Sequence, residues 1–312
     1  MSKGLRFHVN VPATSANLGP GFDCMGLALN LHNRFTLEVG APFALSVSGE
    51  GAKVLSTGRD NVLARSVQEV LTAADARKVP GDWQLHCENR IPVASGLGSS
   101  STAIVGGLLL GNRLLEHFEP ERAFSRDALM QMAIRLEGHP DNVVPALLGG
   151  AWLCLSEAER PEIIPLPVPE GLTFVVGVPD FPLSTEASRR VVPTEVSRSD
   201  AVYNVAQAAR LALALSAGDL GLLGQGFGDR LHEPYRAALI PGMEDVRRAA
   251  LGAGAAAVTL SGAGPSILAW CADGEAASCV ADAMREAWQA CGVGAVAHVL
   301  DPLREGTRVD LA

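Results

Sequence analysis

The sequence predicts a chain of mixed strands and helices, α+β or α/β, arranged in two layers. Strand-like and helix-like segments follow one another along the whole 312 residues. Hydrophobic residues make up 48% and charged residues 19%, which permits a large core and argues against disorder. Aromatics are only 5%, so Ala, Val and Leu must fill that core. The length allows two ordinary domains or one large one. The Pro-rich stretch 161–169 is the best boundary, dividing the chain into 1–165 and 166–312.

Each element has a local reason. Leu5 to Val11 alternates as a strand, and Pro12 is expected to end it. Phe35–Val39 and Phe43–Val47 read as strands. Asn61 to Arg77 reads as a helix, with Leu63, Val67, Val70, Leu71 and Ala74 on one face and Asp60 or Asn61 as cap. Trp83–Cys87 is a short strand. A Gly/Ser loop at 94–102 precedes an apolar helix reaching about Leu115. Ser125 caps a helix that ends at Gly138, and Ala151–Leu155 is a strand. Thr173–Val178 is a very apolar strand. Ser199 is expected to cap a long helix carrying Val202, Val205, Ala206, Ala209 and Leu213. The end reads strand (Ala256–Leu260), Gly turn, strand (Ile267–Trp270), a helix with Val280, Met284, Ala287 and Trp288 on one face, and strand (Ala295–Leu300).

Composition excludes some functions. Lys and Arg total 25 and Asp and Glu 34, so the net charge is 25 − 34 = −9. A general nucleic-acid or anionic-membrane binder would need a basic face, so neither partner is expected. One small phosphate ligand remains compatible, because backbone amides bind phosphate without net charge. Cys24, Cys87, Cys154, Cys271, Cys279 and Cys291 are scattered with no C-x-x-C, which reads as reduced thiols. The first residues lack an apolar signal-peptide core, and no run of about 18 apolar residues occurs. A soluble, cytoplasmic protein is expected.

Three turn-rich segments carry the chemistry. Ile91 to Ala103, IPVASGLGSSSTA, joins a predicted strand to a predicted helix. Its glycines let the backbone turn tightly and bring N–H groups onto a polyphosphate. The helix N-terminus behind adds partial positive charge, and the hydroxyls add donors and one potential Mg²⁺ ligand. It is not a Walker A loop, having no Gly-Lys-Ser/Thr, and it lacks the third Gly of a dinucleotide fingerprint. Ser261 to Ser266, SGAGPS, lies between two short apolar strands and permits close backbone approach. Pro12 to Asp23, PATSANLGPGFD, follows the first strand and places Asn17 and Asp23 where side chains can face a cleft.

Together, in this order and spacing, the three loops resemble the GHMP kinase superfamily. The central segment is similar to its P-x-x-x-G-L-G-S-S phosphate loop. The wording of PATSANLGPGFDCMGLAL is most similar to the homoserine kinase branch, as are EGHPDNVVPALLGG (Glu137–Gly150), STEASRRVVP (Ser184–Pro193) and HEPYRAALIPG (His232–Gly242). The resemblance runs essentially end to end. It implies an α+β, two-domain GHMP kinase fold. The N-terminal ATP-binding domain would be like ribosomal protein S5 domain 2 and the C-terminal domain ferredoxin-like, with ATP between them. It also implies a homodimer.

The resemblance implies roles residue by residue. Pro92, Val93, Ala94, Ser95, Gly96 and Leu97 would cradle the ATP phosphates together with Gly98, Ser99, Ser100, Ser101 and Thr102. Ser100 and Glu137 would hold Mg²⁺, a cation that wants hard oxygen ligands. Arg189 and Arg236, with Thr185, would hold the carboxylate of a small amino-acid substrate, homoserine, since the planar Arg fork matches a carboxylate. Asn17, Asp23 and His139 would contact its amino and hydroxyl groups and form the catalytic set. Asp141 and Asn142 would shape the turn after His139. The reaction implied is in-line transfer of the ATP γ-phosphoryl group to the substrate's side-chain hydroxyl, which mainly asks for positioning and charge neutralisation. Some branches use an Asp base near the position of Asn142, where an amide cannot take a proton. Two alternatives stay open: another small-molecule kinase of the superfamily with a mevalonate-type substrate, and a non-catalytic ATP-binding protein on this fold.

Overall fold

The computed structural model describes residues 4–155, 161–224 and 228–311. The chain opens with β1 (Arg6–Ala16), β2 (Met25–Val39), β3 (Ala44–Gly49), α1 (Val62–Ala73), β4 (Trp83–Asn89), α2 (Ser99–Phe118), α3 (Arg126–Glu137), α4 (Pro140–Leu148), β5 (Ala151–Leu155) and β6 (Glu162–Leu166). It continues with β7 (Thr173–Pro179), α5 (Thr185–Arg190), α6 (Arg198–Ala217), α7 (Leu220–Gly224), α8 (Glu233–Arg236), α9 (Met243–Gly252), β8 (Ala257–Leu260), β9 (Ile267–Cys271), α10 (Gly274–Ala290), β10 (Ala295–Leu300) and β11 (Val309–Leu311).

Two sheets result. The first has the order β11-β1-β2-β4-β3, with β5 pairing β2 and β6 pairing β5. The second has the order β10-β7-β9-β8. Phe7, Val9, Phe35, Leu37 and Leu85 of the first sheet are buried against Leu63 and Val67 of α1 and Leu108 and Leu114 of α2. On the second sheet, Val175, Leu260 and Ile267 are buried against Val246 of α9 and Met284 and Trp288 of α10. A third cluster binds the layers: Ala13, Leu27 and Leu29 meet Phe174, Leu268 and Trp270, with Leu211 and Leu215 of α6.

Several elements depart from the sequence expectation. Strand β1 does not stop at Pro12 but runs to Ala16, with a register shift between Pro12 and Ala13. At such an irregularity the missing Pro N–H interrupts no regular ladder. The next strand begins at Met25, ten residues before Phe35, and pairs the far half of β1. The Pro-rich stretch contains β6, with Pro165 on a strand paired only to β5. Helix α1 stops at Ala73 rather than Arg77, and Asp75 beyond it takes a positive φ of 48°. Ser197, not Ser199, caps α6 by accepting from the Asp200 N–H. The hydroxyls of Ser99 to Thr102 form the first turn of α2 rather than a loop. Asp141 and Asn142 likewise lie in the first turn of α4. Ser125 and Gly138 cap α3 as expected, and SGAGPS is the turn of the antiparallel pair β8–β9. All six cysteines are free thiols.

Candidate active site

The loops meet where the two layers join, around a cavity of about 460 Å³. Gly98 takes a φ of 68° and caps α2 with no side-chain hydrogen bond. Thr102 N–H donates to the Gly98 carbonyl, so the amides of Ser99, Ser100 and Ser101 have no intrahelical acceptor. All three residues line the cavity, so a bare helix N-terminus faces it. Backbone donors and helix dipole there favour an anion.

Eight of the eleven phosphate-loop residues line the cavity: Val93, Ala94, Ser95, Gly96, Gly98, Ser99, Ser100 and Ser101. Pro92, Leu97 and Thr102 do not. Leu97 is fully buried in the seam cluster. The Thr102 hydroxyl donates to the Ser99 carbonyl and accepts from Asn33 Nδ2. Ser95 spends its hydroxyl on the Pro92 carbonyl.

Glu137 ends α3, and its Oε1 accepts from Ser101 Oγ at 2.7 Å. Ser100 is exposed one residue away on the same cavity wall. His139 caps α4 and turns Nδ1 to Asp141 Oδ1 at 2.6 Å, with Nε2 4.0 Å from Glu137 Oε1. Burial alone would lower the His139 pKa. The hydrogen bond and charge of Asp141, with the charge of Glu137, outweigh it and raise the pKa. Asn142 accepts from Thr14 Oγ1 at 2.8 Å, which fastens α4 to β1.

The substrate-loop residues Asn17, Leu18 and Asp23 take positive φ values of 69°, 50° and 55°. Asn17 is buried, and its amide works at both ends. Nδ2 donates to the Gly262 carbonyl and Oδ1 accepts from the Asp23 N–H. Asp23 presents both oxygens to Arg189, at 2.9 and 3.1 Å, in a two-pronged pair. Burial works against the Arg189 charge, but the bonds and charge of Asp23 prevail and raise its pKa. Thr185 begins α5 on the exposed side of the cavity mouth.

Arg236 differs from Arg189. It is 1% exposed. Nε donates to the Ser188 carbonyl, and Nη1 to the Gly262 carbonyl and His232 Nδ1. No carboxylate pairs with it among the described residues. Burial, then the nearby Arg189 charge, push its pKa down to about 10. A buried cation held by neutral acceptors and lining a cavity calls for an anionic partner.

Every side chain expected at the substrate end therefore reaches one cavity. Phe35, Leu55, Val62, Leu63 and Val93 add apolar surface to the same cavity, beside Ser56, Asp60 and Asn61. Apart from Val93, which lies in the phosphate-loop segment, those apolar residues carry no motif, and nothing in the sequence assigned them to a site. Thr14 and His232 were also missed, although both lie inside segments that carried the family resemblance.

Comparison with known proteins gives one answer. The model for the GHMP kinases N terminal domain matches residues 61–150, and that for GHMP kinases C terminal matches 211–290. A homoserine kinase of Microchaete diplosiphon is 45% identical over 289 residues, 92% of each chain. A homoserine kinase of Moorella thermoacetica is 42% identical over 301 residues, 96% of this chain and 99% of that one. The crystal structure of homoserine kinase from Cytophaga hutchinsonii superposes with a TM-score of 0.87 at 29% identity, covering 98% of this chain and 97% of that one. Mevalonate kinase of L. major, at 17% identity and a TM-score of 0.66, shares the fold. The uncapped helix, the three meeting loops and these matches agree: the chain belongs to the homoserine kinase family of the GHMP kinases.

Proposed function

We infer that the chain transfers the γ-phosphoryl group of ATP to the side-chain hydroxyl of L-homoserine, giving O-phospho-L-homoserine for threonine biosynthesis. The observation that carries this reading is the pair of arginines. Arg236 is a buried guanidinium paired with no carboxylate among the described residues, and it lines the same cavity as an Asp23–Arg189 pair that offers one charge of each sign. A zwitterionic amino acid presents the matching set, with its carboxylate for Arg236 and Arg189 and its ammonium for Asp23. Thr185 and His139 complete the reading at the substrate end.

ATP would place its phosphates against the amides of Ser99 to Ser101 and its adenine against the apolar surface. In the transfer, the homoserine hydroxyl oxygen forms the new bond to phosphorus. The bond from phosphorus to the β–γ bridging oxygen breaks, and ADP leaves with the electron pair. The proton needs an acceptor. Asn142 is an amide, Asp23 is tied to Arg189, Asp141 to His139 and Glu137 to Ser101. In this reading the proton leaves to the transferred phosphoryl group itself, and the protein positions and neutralises.

The donors beside the helix N-terminus fit Mg²⁺, since a carboxylate and two hydroxyls are hard oxygen ligands. Glu137 and Ser100 would hold the ion, with Ser101 orienting Glu137, and bound Mg²⁺ would supply charge neutralisation for the phosphates. We also read the chain as a cytoplasmic homodimer divided at 165/166. The free cysteines and the exposed Val202, Val205 and Leu213 on α6 support that reading. Among the described residues no helix is long and apolar enough to cross a membrane.

An ADP-release assay with homoserine, mevalonate, galactose and no acceptor tests the activity. Release dependent on homoserine is expected. A preference for mevalonate, or tight ATP binding with no turnover, would overturn it.

A further inference from the structure

We propose that His232 is a positioning residue: as its Nε2–H tautomer it fixes the Arg236 guanidinium for the substrate carboxylate and ties that arginine to the substrate loop. The proposal rests on the homoserine reading above. His232 is fully buried, immediately before α8. Its Nε2 lies 2.9 Å from the Gly19 carbonyl, which can only accept. Its Nδ1 lies 3.1 Å from Arg236 Nη1, which can only donate. The two partners leave one arrangement, with the proton on Nε2 and a lone pair on Nδ1. The Asp229 carboxylate stands 3.7 Å from Nε2, too far to take that proton, and is engaged by the backbone N–H groups of residues 231 to 233.

Arg236 has three anchors, and they differ in what they know about the substrate. The Ser188 and Gly262 carbonyls belong to α5 and the C-terminal glycine loop. Two anchors also grip the loop that carries Asp23: the Gly262 carbonyl accepts from Asn17 Nδ2 as well, and His232 is the one side chain among the three anchors. It bonds Gly19 and stacks on Phe22 with ring centres 4.9 Å apart and planes 18° apart. The Arg236 guanidinium carbon sits 5.3 Å from the same Phe22 ring. The group proposed to read the carboxylate and the loop that carries the group proposed to read the ammonium are thus joined through the imidazole, beside the shared Gly262 carbonyl. The consequence is that the two ends of an α-amino acid are read at a fixed separation.

Two near-isosteric variants separate the two bonds. In His232→Asn the amide oxygen falls near the Nδ1 position and keeps an acceptor for Arg236. In His232→Gln the amide nitrogen falls near Nε2 and keeps the donor to Gly19 but not the acceptor. We expect His232→Gln to raise homoserine KM roughly tenfold or more, the scale of one hydrogen bond to a charged group. Its kcat and ATP KM should stay near wild type. His232→Asn should recover most of the loss. With 3-aminopropan-1-ol, which is homoserine without its carboxylate, His232→Gln should cost little. In an Arg236→Leu background it should cost nothing further.

Equal losses with both substrates, or an unchanged homoserine KM in folded His232→Gln, would overturn the proposal. If either variant fails to fold, ¹⁵N spectra of the histidine-labelled wild-type chain decide instead. A protonated Nε2 and an unprotonated Nδ1 on His232 are expected, and a proton on Nδ1 would refute the assignment. A wild-type chain that does not use homoserine would refute the functional reading instead.

Discussion

A single side chain, Arg236, carries most of what is proposed for the substrate end. Its charge is buried, its pKa is pushed down by that burial, and its three protein acceptors are all neutral. Arg236→Leu should therefore raise homoserine KM by roughly ten- to a hundredfold, leaving ATP KM nearly unchanged. Arg236→Lys should recover only part, since the planar fork is lost. Initial rates with homoserine and 3-aminopropan-1-ol check this. A Leu variant that still prefers homoserine as strongly as wild type would detach Arg236 from the carboxylate. The proposed metal ligands are tested at this scale too. Glu137→Gln and Ser100→Ala should each need more Mg²⁺ for half-maximal rate. Ser101→Ala should have the smaller effect, because Ser101 acts through Glu137. A normal Mg²⁺ titration in Glu137→Gln would point to a different carboxylate.

The head of α2 shows why one element needs its glycine. From the sequence, Gly98 reads as an opening for phosphate. In the structure a Cβ there would instead overlap Thr14 Oγ1 and press on Asn142, at a positive φ of 68°. Gly98 thus lets three elements converge: β1, α2 and α4. Gly98→Ala should destabilise the fold by about 1–3 kcal/mol from backbone strain and overpacking. It should weaken ATP binding as well. Thr14→Ala in the same chain should remove the overlap and return part of the stability, leaving the positive-φ cost. Denaturant melts of the three variants measure this, and no recovery in the double variant would show that the Thr14 contact is not the cause. The same loop shows what was legible. Its register, its place before a helix and its hydroxyl cluster were all readable, because glycine and serine act locally. The bonds of Thr102 to Asn33 and of Asn17 to Gly262 were not, because those partners lie far along the chain where no spacing reveals them. Strand β2 was half missed for a related reason. Met25 to Leu29 is buried on both faces at the seam, so it shows no alternation.

At the scale of the whole molecule, the cavity is a seam held shut by hydrogen bonds between the two layers. Gly262 N–H donates to the Ala16 carbonyl, Ser266 N–H to Ser95 and Leu183 N–H to Ala94. Ser261 Oγ reaches Ser15 and the Gly96 carbonyl, both at 2.9 Å. The chain end returns as well: β11 pairs β1, and Arg126 donates to the Leu147 and Thr307 carbonyls. The division proposed at 165/166 falls inside β6, and β11 beyond it belongs to the first sheet, so the two stretches are not independent bodies in space. The wild-type chain should unfold in one cooperative transition, with the calorimetric and van't Hoff enthalpies equal. The closest approach in the seam is Gly96, where a Cβ would overlap the Ser261 carbonyl and crowd Gly264. Neither neighbour is a flexible side chain that could move aside, so Gly96→Ala must push the two loops apart. Each parted backbone pair then leaves a group unsatisfied unless water enters. We expect Gly96→Ala to split the calorimetric transition into two, and the amides of Gly262 and Ser266 to lose hydrogen-exchange protection before those of β1 and β2. ATP affinity should fall with them, because the phosphate loop is held from the other side by the loop it touches. One undivided transition in Gly96→Ala, with protection at Gly262 unchanged, would mean that the layers are held together by the apolar cluster of Phe174, Leu268 and Trp270 alone.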